Sequence, residues 1–218
     1  MRFRNRSEAG RQLAEKLLEY KQDHPIVFAL PRGGVPVGYE VARALEAPLD
    51  TVVARKIGAP SNPEFGVGAI APGGVLVLDV NTLASLGLKQ GDLEGIIGEE
   101  KQELERRITR YRSGEWSKNV PFDTLIVVDD GLATGVTARA ALQSVKIIYK
   151  PKKLIFGSPV CARDSLGLLE SYADKIVCVS EPENLVAIGE WYEEFPQTSD
   201  EEVLYYLNKN KSVLKSPE

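Results

Sequence analysis

Two adjacent acidic residues at the end of an apolar run are the part of this sequence best suited to chemistry. Leu125–Val128 leads into Asp129 and Asp130, and the small-residue run Gly131-Leu132-Ala133-Thr134-Gly135-Val136-Thr137 follows. Two carboxylates fixed at a strand end can accept hydrogen bonds from paired hydroxyl groups, such as those of a ribose. Backbone amides, threonine hydroxyls and a helix start behind them favour a phosphate. The segment therefore predicts a site for a sugar phosphate, although capping of the following helix would also place acids there.

Two further polar turns follow short apolar runs. Ile26–Leu30 precedes Pro31-Arg32-Gly33-Gly34, and Thr51–Ala54 precedes Arg55-Lys56-Ile57-Gly58. Glycine lets the backbone approach a charged oxygen closely, and an arginine can donate two parallel hydrogen bonds to it. Taken alone, the first turn could be a helix cap and the second a solvated strand end. Three such turns, each after a predicted parallel strand, favour a shared anion site.

Hydrophobic periodicity predicts the elements that position these turns. Helices are expected over about 7–22, 37–45, 89–113, 138–148, 165–172 and from 198, and strands over 26–30, 51–54, 75–78, 124–128, 154–160 and 176–179. The glycine- and proline-rich stretch Gly58–Gly68 is predicted to be a long loop. Fully apolar strands that alternate with helices predict an α/β fold, a mostly parallel sheet with helices on both faces. In such sheets ligands bind beyond the carboxyl ends of the strands.

Composition narrows the class of protein. The chain has 218 residues and a net charge of -4, so we expect one domain over 1–218 and no attraction to nucleic acid. It begins without a secretory signal and contains no run of about 18 apolar residues, which predicts a cytoplasmic protein without a membrane span. Cys161 and Cys178 lie in apolar runs and are expected to be reduced, packed thiols. His24, the one histidine, has no motif around it, which argues against a Ser-His-Asp or Cys-His mechanism.

The segment Leu125–Thr137 resembles the motif that binds 5-phosphoribosyl 1-pyrophosphate (PRPP) in type I phosphoribosyltransferases, where two acids precede a loop ending in Thr-Gly-x-Thr. The resemblance implies that Asp129 and Asp130 hold the ribose hydroxyls. It also implies that five residues surround the 5-phosphate: Ala133, Thr134, Gly135, Val136 and Thr137. Gly131 is smaller than the aliphatic residue that is usual at its position.

Two other segments are similar to this family. Arg32, Gly33 and Gly34 resemble its pyrophosphate loop, and Arg55-Lys56-Ile57-Gly58 resembles the start of its flexible catalytic loop. The resemblance implies that Arg55 or Lys56 neutralises the departing pyrophosphate while 58–68 closes as a lid. The family selects its base with a small hood, expected here from about 180–218. Leu185 could contact the base, or Trp191 and Tyr192 could stack on it instead, with ordinary packing as the alternative for Trp191.

The reaction implied by the resemblance is displacement of pyrophosphate from C1 of PRPP by a ring nitrogen of a nucleobase or related heterocycle. Mg²⁺ is the implied cofactor, with Asp129 and Asp130 as ligands, directly or through water. Ala133 replaces the acid of hypoxanthine-guanine-type members, which makes the loop more similar to adenine-type members. Family members are commonly dimers, so a homodimer is expected. The alternative is a non-catalytic PRPP sensor of the same fold, against which the retained Arg55-Lys56 pair argues.

Overall fold

A computed structural model of the chain describes residues 2–111 and 121–215. The strands of this part of the chain are β1 (Ile26–Ala29), β2 (Leu49–Thr51), β3 (Arg55–Ala59), β4 (Asn62–Ala71), β5 (Val75–Leu78), β6 (Thr124–Val128), β7 (Lys153–Val160) and β8 (Lys175–Ser180). Its helices are α1 (Arg6–Leu17), α2 (Gly34–Leu45), α3 (Val80–Ser85), α4 (Glu94–Tyr111), α5 (Val136–Tyr149), α6 (Arg163–Leu169) and α7 (Asp200–Lys215). Within the described residues, no helix combines the length and the apolar composition needed to cross a membrane.

The main sheet has five parallel strands in the order β2-β1-β6-β7-β8. Successive residues of β1 face opposite sides, because Val27 packs with α1 and α2 whereas Phe28 packs with α5. Both faces of the sheet are therefore covered by helices, as the sequence predicts, which explains why the strands are apolar throughout. Ala29 of β1 is level with Thr51 of β2 and with Val128 of β6. The turns after β1 and β6 consequently begin side by side at one edge of the sheet, and β2 ends next to them.

A second sheet corrects the prediction of a long loop at Gly58–Gly68. This stretch belongs to a hairpin of β3 and β4, which β5 extends into a three-stranded antiparallel sheet. A Cβ atom at Gly58 would lie 2.3 Å from the carbonyl oxygen of Pro63, and one at Gly68 would lie 2.6 Å from that of Val77. The glycines therefore permit close strand pairing, whereas the local sequence suggests a loop. The strand predicted at 51–54 also ends earlier, at Thr51, and Arg55 already begins β3.

The expectation of two reduced thiols is also wrong in the structure, because Cys161 and Cys178 form a disulfide. Cys178 lies in β8 opposite Ser158 of β7, and the amide of Cys161 donates to the carbonyl oxygen of Ser180 at 3.0 Å. Strand pairing brings the two Cα atoms to 6.2 Å, a normal separation for a disulfide. The apolar runs indicate burial correctly but carry no information about which strands are neighbours.

Candidate functional site

The glycines of the first turn touch the acidic pair of the third. A Cβ atom at Gly33 would lie 2.0 Å from Oδ2 of Asp130, and one at Gly34 would lie 2.8 Å from the carbonyl oxygen of Val128. Any side chain at these positions would displace the acids, so glycine is required for the two turns to meet. The peptide bond between Pro31 and Arg32 is cis. The structure thus brings together the two segments that the sequence assigns to one site.

The two carboxylates of the pair have different surroundings. Oδ1 of Asp129 accepts a hydrogen bond from the amide of Asp130 at 2.8 Å. Burial, and then the negative charge of Asp130, raise the pKa of Asp129 well above its usual range. Asp130 instead accepts a hydrogen bond at 2.7 Å from Nε of Arg6, with both side chains largely buried. Asp130 therefore has a counterion of its own, whereas Asp129 resists ionisation.

The loop behind the acids presents unused backbone donors at the start of α5. Gly135 adopts a left-handed conformation with φ of 74° as the residue before the helix, where a side chain would be strained. Within the described residues, the amides of Ala133, Thr134, Val136 and Thr137 make no hydrogen bond. By contrast, the Leu132 amide donates to the carbonyl oxygen of Val160 at 2.8 Å and anchors the loop to β7. Free amides beside a helix amino terminus suit a phosphate group.

Arg6 is a site residue that sequence reasoning missed. Besides Asp130, its guanidinium donates to the carbonyl oxygen of Pro196 at 2.6 Å and lies 3.7 Å from the ring centre of Phe195. Tyr192, close by, donates its hydroxyl to the backbone carbonyl of Asp130 at 2.6 Å. The sequence shows only an arginine-rich amino terminus, and nothing local connects it to a loop 124 positions away. The amino terminus and the segment 188–196 together cover one side of the acidic pair.

The same cover explains the unusual glycine at position 131. A Cβ atom there would lie 2.4 Å from two carbon atoms of Ile188. Of the residues predicted to contact a base, Tyr192 is buried beside Phe3. Trp191 is partly buried, packs with the same small core, and accepts the Phe3 amide at its carbonyl oxygen at 2.8 Å. Leu185 lies just before the cover and is partly exposed. Within the segment, the Ile188 side chain thus lies against Gly131, and the Tyr192 hydroxyl contacts the carbonyl of Asp130.

The predicted catalytic cations lie on the β3–β4 hairpin. Arg55 forms an ion pair with Glu100 of α4, with Nε 2.7 Å from Oε2. Lys56 lies along Gly66 of the opposite strand, where a Cβ atom would come within 3.1 Å of its Cδ. Arg32, on the first turn, has NH1 at 3.7 Å from Oδ1 of Asp200. Both predicted cations thus lie at the start of β3, and Arg55 is bound to α4.

The acidic pair is also where a divalent cation could be held. Carboxylate oxygens are the hard ligands that Mg²⁺ prefers, and Mg²⁺ commonly takes only one or two of them from the protein together with substrate phosphates. In the described part of the chain there is no cluster of three or more His, Cys, Asp and Glu side chains suited to a metal. Asp129 and Asp130 fit a cation that arrives with a phosphorylated ligand.

Comparison with known proteins gives consistent matches. A family model described as phosphoribosyl transferase domain matches residues 3–194. A protein of two Mycobacterium tuberculosis strains, provisionally named a phosphoribosyl transferase, is 39% identical over 207 residues, which are 95% of this chain and 46% of that protein. The crystal structure of the protein TT1426 from Thermus thermophilus is 38% identical, covers 96% of this chain and 99% of its own, and superposes with a TM-score of 0.73. The chain spans about half the length of the curated relatives that it matches.

Proposed function

Since this chain belongs to the phosphoribosyl transferase domain family, we propose that it transfers the 5-phosphoribosyl group of PRPP to a ring nitrogen of a nucleobase or related heterocycle and releases pyrophosphate. One observation carries the proposal. The glycine turn after β1 touches the acidic pair after β6, and unused amides follow that pair at the start of α5. This arrangement offers adjacent places for a pyrophosphate, a ribose diol and a 5-phosphate.

Each part of the site has a role in this proposal. Asp129 and Asp130 accept hydrogen bonds from the ribose hydroxyls, and the amides of 133–137 bind the 5-phosphate. Arg32, with the close backbone approach that Gly33 and Gly34 allow, holds the pyrophosphate. The chain thereby aligns PRPP with its acceptor and stabilises the negative charge that develops on the leaving group. No covalent intermediate with a side chain is needed, which agrees with the absence of a motif around His24.

Magnesium would assist by withdrawing charge from the pyrophosphate, and Asp129 and Asp130 are the residues that would hold it. Arg55 and Lys56 would supply positive charge on the side of the β3–β4 hairpin. For this, Arg55 must leave Glu100 and bind a pyrophosphate oxygen. About a quarter of the Arg55 side chain is exposed in the ion pair, so this exchange of partners is possible. The hairpin then acts as the lid, in place of the long loop expected from the sequence.

The acceptor base would bind under the cover formed by Arg6 and the segment 188–196. Ile188 offers an apolar surface next to Gly131, and Trp191 and Leu185 lie in or beside the same segment. An apolar surface beside fixed polar groups is the usual composition of a small-molecule site. The predicted hood would therefore consist of this cover, because α7 packs against α2 on the main sheet.

A catalytically silent PRPP sensor is the second candidate, and the Arg55–Glu100 ion pair favours it, because that pair occupies a cation needed for catalysis. The two functions differ in turnover. We expect the native chain with PRPP and Mg²⁺ to release pyrophosphate when the right member of a panel of purine and pyrimidine bases is added. PRPP binding without release on any base of the panel would favour the sensor.

The binding site itself is tested by the double variant Asp129→Asn with Asp130→Asn. Each lost charge-assisted hydrogen bond is worth about 1.5–3 kcal/mol, so PRPP affinity measured by calorimetry with Mg²⁺ should fall about 100-fold or more. Asp123→Asn is the control, since that exposed residue pairs only with Lys152 among the described side chains. Unchanged PRPP affinity in the double variant would refute the roles of the acidic pair and with them the proposed function.

A further inference from the structure

The late segment Gln197–Glu202 is polar and has no part in the proposed reaction so far. It forms the start of α7, where Oγ of Ser199 accepts the amide of Glu202 at 3.1 Å and Oε2 of Glu202 accepts the amide of Ser199 at 2.7 Å. This reciprocal cap fixes the first turn of the helix. Asp200 lies inside the cap, so its backbone is held in place by the helix start.

The rest of α7 fixes that helix start to the main sheet. Val203 and Leu207 are buried in the core that α1 and α2 also line. Farther along, Asn210 accepts the amide of Leu49 at 2.8 Å and donates to the carbonyl oxygen of Ala47 at 3.2 Å, directly before and in β2. The position of Asp200 at the start of this helix is consequently fixed relative to the carboxyl edge of the sheet.

The side chain of Asp200 connects three elements. Oδ1 accepts a hydrogen bond from the Tyr111 hydroxyl at 2.5 Å, and Oδ2 lies 3.0 Å from Nε of Arg110 and 3.8 Å from NH1 of Arg106. Oδ1 is also 3.7 Å from NH1 of Arg32. The hydrogen bond from Tyr111 is the main reason why the pKa of Asp200 lies below its usual range, and the arginines lower it further. Asp200 is therefore ionised throughout the neutral range.

The contact between Asp200 and Arg32 is long enough to leave the Arg32 guanidinium available to a second anion. The carboxylate takes its short contacts from Tyr111 and Arg110, whereas the contact with Arg32 is too long for a two-pronged ion pair. Within the described residues, Asp200 is also the one carboxylate that forms an ion pair with Arg32. The NH1 group of Arg32 is thus attracted to the Asp200 carboxylate, and the other guanidinium donors stay available to another anion.

We infer that Asp200 is a positioning residue for pyrophosphate binding, which acts by holding Arg32 in the orientation that meets the leaving group. The inference rests on the proposed function, because it assumes that the turn after β1 holds pyrophosphate. The start of α7 then has a role in ligand binding. Asp200 of α7 is held by Tyr111 and Arg110 of α4, and it orients Arg32 in the turn after β1.

The test separates the pyrophosphate part of the site from the 5-phosphate part. Asp200→Asn should weaken the binding of inorganic pyrophosphate with Mg²⁺ by about tenfold, the effect of about 1.4 kcal/mol, while ribose 5-phosphate affinity stays within about twofold. Asp200→Glu, which keeps the charge, should recover most of the loss. The control is again Asp123→Asn, because that exposed carboxylate pairs only with Lys152 among the described side chains and shares no partner with Asp200. Both ligands are measured by calorimetry on the full chain.

Coupling to Arg32 gives the sharper result. If Asp200 acts through Arg32, the double variant Arg32→Ala with Asp200→Asn binds pyrophosphate no more weakly than Arg32→Ala alone. The inference would be overturned if the two substitutions reduced pyrophosphate affinity multiplicatively. It would also be overturned if Asp200→Asn weakened pyrophosphate and ribose 5-phosphate binding equally. Should Asp200→Asn fail to fold, Tyr111→Phe removes only the hydroxyl that orients the carboxylate and should weaken pyrophosphate binding about threefold, with ribose 5-phosphate again unaffected. A native chain that binds neither ligand refutes the proposed function itself, whereas native binding with an unaffected Asp200→Asn refutes this inference alone.

Discussion

At the scale of single residues, the acidic pair combines one charge that the fold supports and one that it opposes. Arg6 lies 2.7 Å from Asp130 and provides its counterion. Asp129 is held beside that negative charge in a buried position, which raises its pKa. The proposed PRPP site therefore carries an electrostatic cost while it is empty, a common compromise between stability and function.

This asymmetry predicts that Asp129→Asn and Asp130→Asn change the free energy of unfolding in opposite directions. The measurement is made with a metal chelator present. Asp129→Asn keeps an oxygen for the amide of Asp130 and removes the opposed charge, so it should stabilise the chain by about 1 kcal/mol at neutral pH. Asp130→Asn leaves Arg6 without its counterion and should destabilise the folded chain by about 2 kcal/mol. Equal signs for the two variants in urea unfolding would contradict the assignment.

The pH dependence gives a second check on Asp129. Because its pKa is raised in the folded chain, the native protein loses stability as the pH rises from the ordinary aspartate pKa of 3.8 towards the raised value. Asp129→Asn does not titrate there, so its advantage over the native chain should be absent at the acid end and grow with pH. The advantage should then stay constant above the raised pKa. A difference that shrinks with rising pH would have the wrong sign.

At the scale of elements, the sequence predicts units whose contacts are local and misses those made by distant segments. The strand over 124–128 and the helix behind it are correct because an apolar run, a glycine turn and a helical period lie next to one another. The sequence predicts a loop over Gly58–Gly68 where the structure has most of the β3–β4 hairpin, because the glycines that allow its strands to approach also suggest a turn. Arg6 and Asp200 reach the site only through tertiary packing, which leaves no local pattern.

The hairpin carries a prediction about motion. If β3 and β4 close over bound PRPP, amide hydrogen exchange in the hairpin around Gly58 and Gly66 should slow at least about tenfold when PRPP and Mg²⁺ are added, since closure protects backbone donors from water. Amides in the middle of α1, which packs against α2, β7 and β8, serve as the internal control, and the Asp129→Asn, Asp130→Asn double variant should show no slowing. Protection of the loop 133–137 without protection of the hairpin would show that ligand binds and no lid closes.

At the scale of the whole molecule, the loop between the acidic pair and α5 is supported by the β7–β8 side of the sheet. Leu132 donates its amide to Val160 and accepts the amide of Ala162, both at 2.8 Å. Cys161, between those two partners, is bonded to Cys178 in β8, and the chain runs from β8 into the cover over the acidic pair. The disulfide therefore links the strand that anchors the loop to the strand that leads into the cover.

This cross-link predicts coupled changes in stability and ligand affinity. In a denaturant without reductant the chain should contain no titratable thiol, and reduction should expose both. A cross-link that spans 17 positions contributes about 3 kcal/mol by restricting the unfolded chain, so Cys161→Ser, Cys178→Ser and the double variant should all lose about that amount in urea unfolding. The single losses should not add, because either one breaks the bond. PRPP affinity should weaken in the same three variants, because the strands that anchor Leu132 are then less restrained. Two free thiols in the unreduced native chain would contradict this prediction.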